Sequence, residues 1–169
     1  MPDDRTAIRR NDRAIDDQEQ LHALLERGNF FALATSVDDQ PYQHVSLYWF
    51  DPASGRIYFH TARNGRTRSN IEANPRVSIS VAEMGRLLPA DTALDFSVEY
   101  ASVIAFGRAR VVDEQDEARY GLQGLLDKYF PDLRPGEHYR PITDDELKRT
   151  TVFALDIESM SGKRKVAAE

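Results

Sequence analysis

The sequence predicts a mainly β domain of the α+β class: six mostly antiparallel strands curled into a small barrel, with about three flanking helices. Three observations carry this. Runs with a two-residue hydrophobic period dominate the 169 residues. The first three runs are joined by turns too short to hold crossover helices, which excludes a doubly wound parallel sheet. Gly107 interrupts a run long enough to serve two sheets if it bends, and curling hides the edges that an open sheet exposes.

The first element is a helix beginning near Asp16. Asp16 and Glu19 have capping-box-like spacing, Leu21, Leu24 and Leu25 form one apolar stripe, and Gly28 supplies the stop. NFFALATSV, starting at Asn29, is rich in aromatic and β-branched residues. The Asp38-Asp39-Gln40-Pro41 turn then leads into YQHVSLYWF, the second strand of a hairpin. Asp51 to Gly55 turns the chain into RIYFH, so three consecutive antiparallel strands are expected. Ile71 and the Asn74-Pro75 stop mark a short helix, after which Val77, Ile79 and Val81 restart the strand period.

From Met84 to Ser97 no clean period remains, and Gly85 and Pro89 mark a long, partly mobile loop. VEYASVIAFGRARVVD is the bent strand. Ala118, Leu122, Leu125, Leu126 and Tyr129 share the face of a helix that ends before Pro131, and TVFALDIES alternates as the last strand. GKRK, at 162–165, reads as a solvated basic tail. A single domain is expected, with residues 1–12 and 164–169 as flexible tails.

Composition excludes several functions. Asp and Glu outnumber Lys and Arg by 28 to 22, and a net charge of −6 is unsuited to the phosphate backbone of nucleic acid. With no cysteine, the chain has neither thiolate metal sites nor cysteine nucleophiles. The N-terminus is too charged for a secretory signal and no apolar run is long enough for a membrane span, so a cytoplasmic protein with no membrane partner is expected. His22 and His138 lack metal-site spacing, Asp144 to Glu146 read as a helix cap, and no catalytic or metal-ligating residue is assigned.

Chemistry concentrates in RIYFHTARNGRTRSNIEANPRVSISV, from Arg56 to Val81. A strand ends in hydroxyls, a glycine and arginines, and a helix follows. Unpaired amides and the positive dipole end at a helix N-terminus suit such a turn to a phosphate, although arginine-rich turns are often merely solvated.

These segments, together with EYASVIAFGRARVV and VFALDIESMSGK, resemble the pyridoxamine 5'-phosphate oxidase-like flavoproteins with a six-stranded antiparallel split β-barrel, and most closely their nitroimidazole-resistance, nitroreductase-like branch. The resemblance runs from about Asp12 to Lys163. It implies a homodimer with FMN at the interface. His44, Val45 and Ser46 would then line the flavin, and His60 and Thr61 would begin the phosphate site. Arg66, Thr67 and Arg68 would complete it, with Ser102 and Lys163 near the ring or the partner chain. Thr67 departs from the branch, which usually has lysine there. Arg66 or Arg68 is the replacement cation, because a guanidinium forks onto phosphate oxygens.

Read without the resemblance, His60 is a flavin contact, a structural histidine or the axial ligand of a haem, and His44 is a ligand or a half-exposed strand residue. Tyr48, Trp49 and Phe50 favour core or interface packing over a stacking wall. The expected function is an FMN-dependent oxidoreductase passing electrons or hydride from a reduced nicotinamide cofactor to a small planar acceptor such as a nitroaromatic. A non-enzymatic flavin- or haem-binding module is the alternative, as is a deazaflavin in place of FMN.

Overall fold

A computed structural model describes residues 5–167. After a 3-10 turn (Asn11–Arg13) the order is β1 (Ala14–Ile15), α1 (Gln18–Arg27), β2 (Phe31–Val37), β3 (Gln40–Ser46), β4 (Trp49–Asp51) and β5 (Arg56–Ala62). Then come α2 (Arg66–Ala73), β6 (Arg76–Leu88), β7 (Ser97–Val111), α3 (Gln115–Tyr129), α4 (Asp144–Arg149) and β8 (Thr150–Lys165). One antiparallel sheet runs β3-β2-β6-β7-β8-β5-β4, with β1 added to β8.

The sheet curls until its two ends share a core. Phe31 lies on β2 and Phe59 on β5, near opposite ends of the strand order, yet their rings are 5.2 Å apart, and Phe59 stacks on Phe153 of β8 at 4.8 Å. Val103, Ile79 and Leu33 fill the same interior, while Leu21, Leu24 and Leu25 of α1 and Ile71 of α2 plug it. No ladder joins β3 to β4 or β5, so the barrel is split along that seam.

Eight strands stand where six were expected. The two-residue β1 accounts for one, and the division of YQHVSLYWF accounts for the other. Tyr48 causes that division. Its amide donates to the Tyr129 hydroxyl at 3.2 Å, its carbonyl lies 3.1 Å from the same hydroxyl, and its own hydroxyl donates to the Leu25 carbonyl at 2.6 Å. With its backbone groups met by a side chain, Tyr48 leaves the ladder, and β3 and β4 go to opposite ends of the sheet. The three-strand meander expected from the sequence is therefore two separate pairs, β2 with β3 and β4 with β5.

Two further expectations change. Met84 to Ser97 is not wholly a loop: β6 and β7 continue as a hairpin arm to Leu88 and Ser97, pinned by Arg86 and Glu99 at 2.9 Å. Gly162–Lys165 are the end of β8, paired with β7, rather than a basic tail. Helix α1 is capped by Asp17, which accepts from the Glu19 amide, one residue later than expected. The bend at Gly107 is present: the ladder shifts register between Phe106 and Gly107, and a Cβ there would stand 2.0 Å from the Asp156 carbonyl oxygen.

Candidate functional site

The turn between β5 and α2 is braced from beneath. Thr151, directly opposite Thr61, donates its hydroxyl to the Arg63 carbonyl at 3.0 Å. Arg68 donates to the same carbonyl at 3.1 Å and pairs through Nε with Glu72 at 2.8 Å, while Arg63 reaches the Lys148 carbonyl of α4. The C-terminal end is held too, since Asn74 Nδ2 donates to the Ser36 carbonyl at 2.9 Å.

This bracing leaves an open helix end. Gly65 precedes α2 in extended backbone with no side-chain cap, and a Cβ added there would meet nothing within 4 Å. Ser69 donates to the Gly65 carbonyl at 3.1 Å, so the amides of Arg66, Thr67 and Arg68 precede the first helical bond. Three free donors on the positive end of a dipole make a cradle for a dianion.

The cations around it are not equivalent. Arg68 is spent on Glu72 and the turn carbonyl. Arg66 has no carboxylate partner among the described residues, is exposed, and lies over the Tyr42 ring with its guanidinium carbon 4.8 Å from the centroid. Thr67 is 5% exposed in the first turn, and the Thr61 hydroxyl donates to the Ala62 carbonyl at 2.8 Å.

Strand β3 forms the facing wall. His44 stands opposite the fully buried Leu33 and so points to the barrel side, where its Nε2 is buried without a hydrogen-bond partner. Burial lowers its pKa, which keeps the imidazole neutral at pH 7. Ser46 shares that side. Val45, opposite Ala32, points the other way and is 64% exposed.

Val45 belongs to a second surface, the outer face of the sheet. The ladder aligns Val45, Ala32, Ser80, Ile104 and Ser161 in one row across five strands. Ser102 and Lys163 are directly paired on the same face. They lie far along β8 from Thr151, up to about 40 Å of extended strand away at about 3.3 Å per residue. Within one chain they do not meet the α2 turn.

His60 is separated from the turn in another way. His60 and Thr61 point to opposite sides of β5: Thr61 pairs with Thr151 beside the turn, whereas His60 pairs with Val152 on the face that α3 covers. Its side chain lines a recess of about 340 Å³ with Leu122, Leu125, Leu126 and Ile142. The ring is solvent-accessible there, and the surrounding walls still lower its pKa.

Sequence reasoning passed over Tyr42 and Asn70. Tyr42 carries the Arg66 guanidinium, and its place two residues before His44 on one strand was the available signal. Asn70 is buried and donates to Thr35 Oγ1 at 2.8 Å, tying α2 to β2. A polar residue beside Ile71 on the helix's apolar side was the only hint. A larger recess of about 570 Å³, lined by Arg5, Asp38, Asp39, Arg76 and Phe106, lies at the hairpin turn by the C-terminal end of α2, away from the cradle.

The family model described as pyridoxamine 5'-phosphate oxidase matches residues 17–164. The chain belongs to that family. Among solved structures, the flavocytochrome Anf3 from Azotobacter vinelandii is 26% identical, with 98% of this chain and 76% of that chain covered at a TM-score of 0.84. A FAD and heme binding protein from Mycobacterium smegmatis is 20% identical over 92% of this chain and 74% of that one, at 0.80. A putative 5-nitroimidazole antibiotic resistance protein from Bacteroides thetaiotaomicron is 16% identical over 89% and 86%, at 0.75. A search of curated proteins finds no match. The two neighbours below 25% identity share the fold, and no helix among the described residues is long and apolar enough to cross a membrane.

Proposed function

We propose that the protein is a flavin-dependent oxidoreductase that holds FMN by its phosphate at the N-terminus of α2, within a homodimer. The observation that carries this reading is the braced, uncapped turn at Gly65 with three free amides and an unpaired Arg66 beside it. In this fold a bound FMN would supply two-electron chemistry between a reduced nicotinamide and a small planar acceptor, with a nitroaromatic as the first to try. The chain's residues bind and orient: Arg66 and the α2 amides take the phosphate, and neutral His44 offers its unpartnered Nε2 to a polar edge. Arg66 takes over the charge of the missing lysine, and Thr67 contributes its amide. For His60 only the backbone faces this role.

The homodimer reading is supported by the outer sheet face, flat because Ala32, Ser80 and Ser161 are small, with Val45 and Ile104 exposed on it. A partner seated there would bury those side chains, exclude water, and bring its own Ser102 and Lys163 toward the groove.

The test is the absorbance of the purified protein, followed by steady-state NADH or NADPH oxidation with added nitroaromatic. Flavin bands and repeated turnover are expected. Oxidation limited to one equivalent would mean a carrier instead of an enzyme, and absence of flavin binding on FMN titration would remove the reading. FAD in place of FMN, or haem beside His60, is the second reading, favoured by the flavocytochrome and the FAD and heme binding protein among the neighbours and by His60 in an apolar recess. A Soret band would mark the haem.

A further inference from the structure

The recess at the β2-β3 turn forms where two strands part. Strand β2 pairs with β6 only from Ala32 to Ala34, opposite Ser80 to Ser78, although β2 runs on to Val37 and β6 begins at Arg76. Asn74 holds the gap that follows: its Nδ2 donates to the Ser36 carbonyl at 2.9 Å and its Oδ1 accepts from the Arg76 amide at 3.2 Å. The resulting opening of about 570 Å³ has the size of a small-ligand site.

Charge in this opening is divided and unpaired. Arg76 of β6 and Arg5, whose guanidinium carbon lies 5.3 Å from the centroid of the Phe106 ring, supply the cations, while Asp38 and Asp39 at the turn supply two carboxylates. Neither Arg76 nor either aspartate side chain has an ion pair or a hydrogen bond among the described residues, and Arg5 has only Glu158, at 3.5 Å. Arg108, directly opposite Arg76 on the next strand, is exposed and equally unpaired, so the cationic side is reinforced. The turn fixes its acids. Val37 pairs with Gln40, and Asp38 and Asp39 between them both stand in left-handed backbone, at φ 50° and 58°, where a two-residue hairpin turn ordinarily takes Asn-Gly. Opposite charges that share a recess without meeting are held apart by the backbone that carries them, and Ala34, Pro41 and Phe106 add an apolar lining.

We infer that this recess binds a small zwitterion with an apolar body, of the α-amino acid class. Arg76, assisted by Arg5, takes the carboxylate through charge-assisted hydrogen bonds. Asp38 and Asp39 take the ammonium, and the apolar body lies against Phe106, Pro41 and Ala34. A plain anion would face two carboxylates and a plain cation two guanidiniums, so the recess discriminates against either charge alone. The site is at the C-terminal end of α2, the end remote from the phosphate cradle, and does not depend on the flavin reading.

The experiment is calorimetric titration of the full-length protein with L-phenylalanine, phenethylamine and 3-phenylpropionate, which share one ring and differ in charge. The amino acid should saturate at 1:1, and each analogue, lacking one charge, should bind at least tenfold more weakly. Arg76→Gln should weaken the amino acid at least tenfold and leave phenethylamine, which has no carboxylate to lose, within threefold. The double variant Asp38→Asn with Asp39→Asn should do the converse, weakening the amino acid and leaving 3-phenylpropionate no weaker. Asparagine keeps the left-handed turn, and thermal melting checks the fold of both variants. Should a variant fail to fold, the comparison of the three probes on the wild-type chain still decides. Failure of the amino acid to saturate in the millimolar range, an analogue that binds as tightly as it does, or affinity unchanged in both folded variants overturns the site. A chain that binds the amino acid here but no FMN retains this site and loses the flavin reading.

Discussion

Helix α3 closes on the sheet along its glycines, whereas α2 is packed through Asn70 and Ile71 and open only at its first turn. In α3, Gly121 and Gly124 let the helix backbone approach so closely that a Cβ on Gly124 would lie 2.1 Å from the Trp49 ring. The helix gives up about 1 kcal/mol of propensity per glycine. Aromatic contact offsets it: Trp49 stacks on Tyr58 at 5.6 Å, and Tyr120 meets Trp49 edge-on at 5.1 Å. At the start of α2 the glycine does the reverse, holding space open with no neighbour to fill it. One residue type thus marks packing in one helix and vacancy in the other, and the surroundings decide which.

The largest effect that would break this contrast is Gly124→Ala. The added methyl has to displace the Trp49 ring, costing about 1–3 kcal/mol and lowering Tm by about 2–4 °C per kcal/mol; calorimetric melting reads it, and an unchanged Tm would deny the close approach. Next is Arg66→Ala, expected to raise the FMN dissociation constant at least tenfold while Tm stays put, because the side chain is exposed and holds no ion pair. Arg68→Ala should divide the other way. Loss of its bonds to Glu72 and the Arg63 carbonyl costs about 1 kcal/mol, with a smaller change in FMN affinity.

A pH effect sharpens the α3 side. Burial pushes the Lys128 ammonium down to about 8 from 10.5, although it lies 3.8 Å over the Tyr48 ring and donates to the Gly28 carbonyl at 2.7 Å, both of which favour the charged form. Between these values the unfolded chain holds the extra proton, so stability rises with pH across that window. Above pH 10 the raised phenols of Tyr48 and Tyr129 reverse the trend. Urea midpoints of wild type minus Lys128→Met should therefore climb from pH 8 to 10, and a flat difference would refute the depressed ammonium. Smallest of all is Gly65→Ala, whose extended backbone and empty surroundings predict a stability change within about 0.5 kcal/mol.

Much of this was legible locally. Helix α2 and its glycine start, the stripe of α3 and the bulge at Gly107 depend on spacing within a few residues, and they stand where the periods put them. The parity of β5 was legible too, since period two sets His60 and Thr61 on opposite faces, even though the family resemblance groups them in one site. The hairpin arm beyond Met84 was not. Its strands have no apolar period because neither face is buried, and only pairing across the turn defines them.

The sequence alone determined where the period-bearing strands and helices lie, because those preferences arise from side chains a turn or a pleat apart. Tertiary structure decided where the barrel splits and what covers each face. Tyr48 leaves its strand only because a hydroxyl at position 129 meets its backbone, and His60 borders a recess only because Leu122, Leu125 and Leu126 of α3 and Ile142 come to wall it. Both are satisfactions of one group by another distant in the chain, and no local pattern records which partner will arrive.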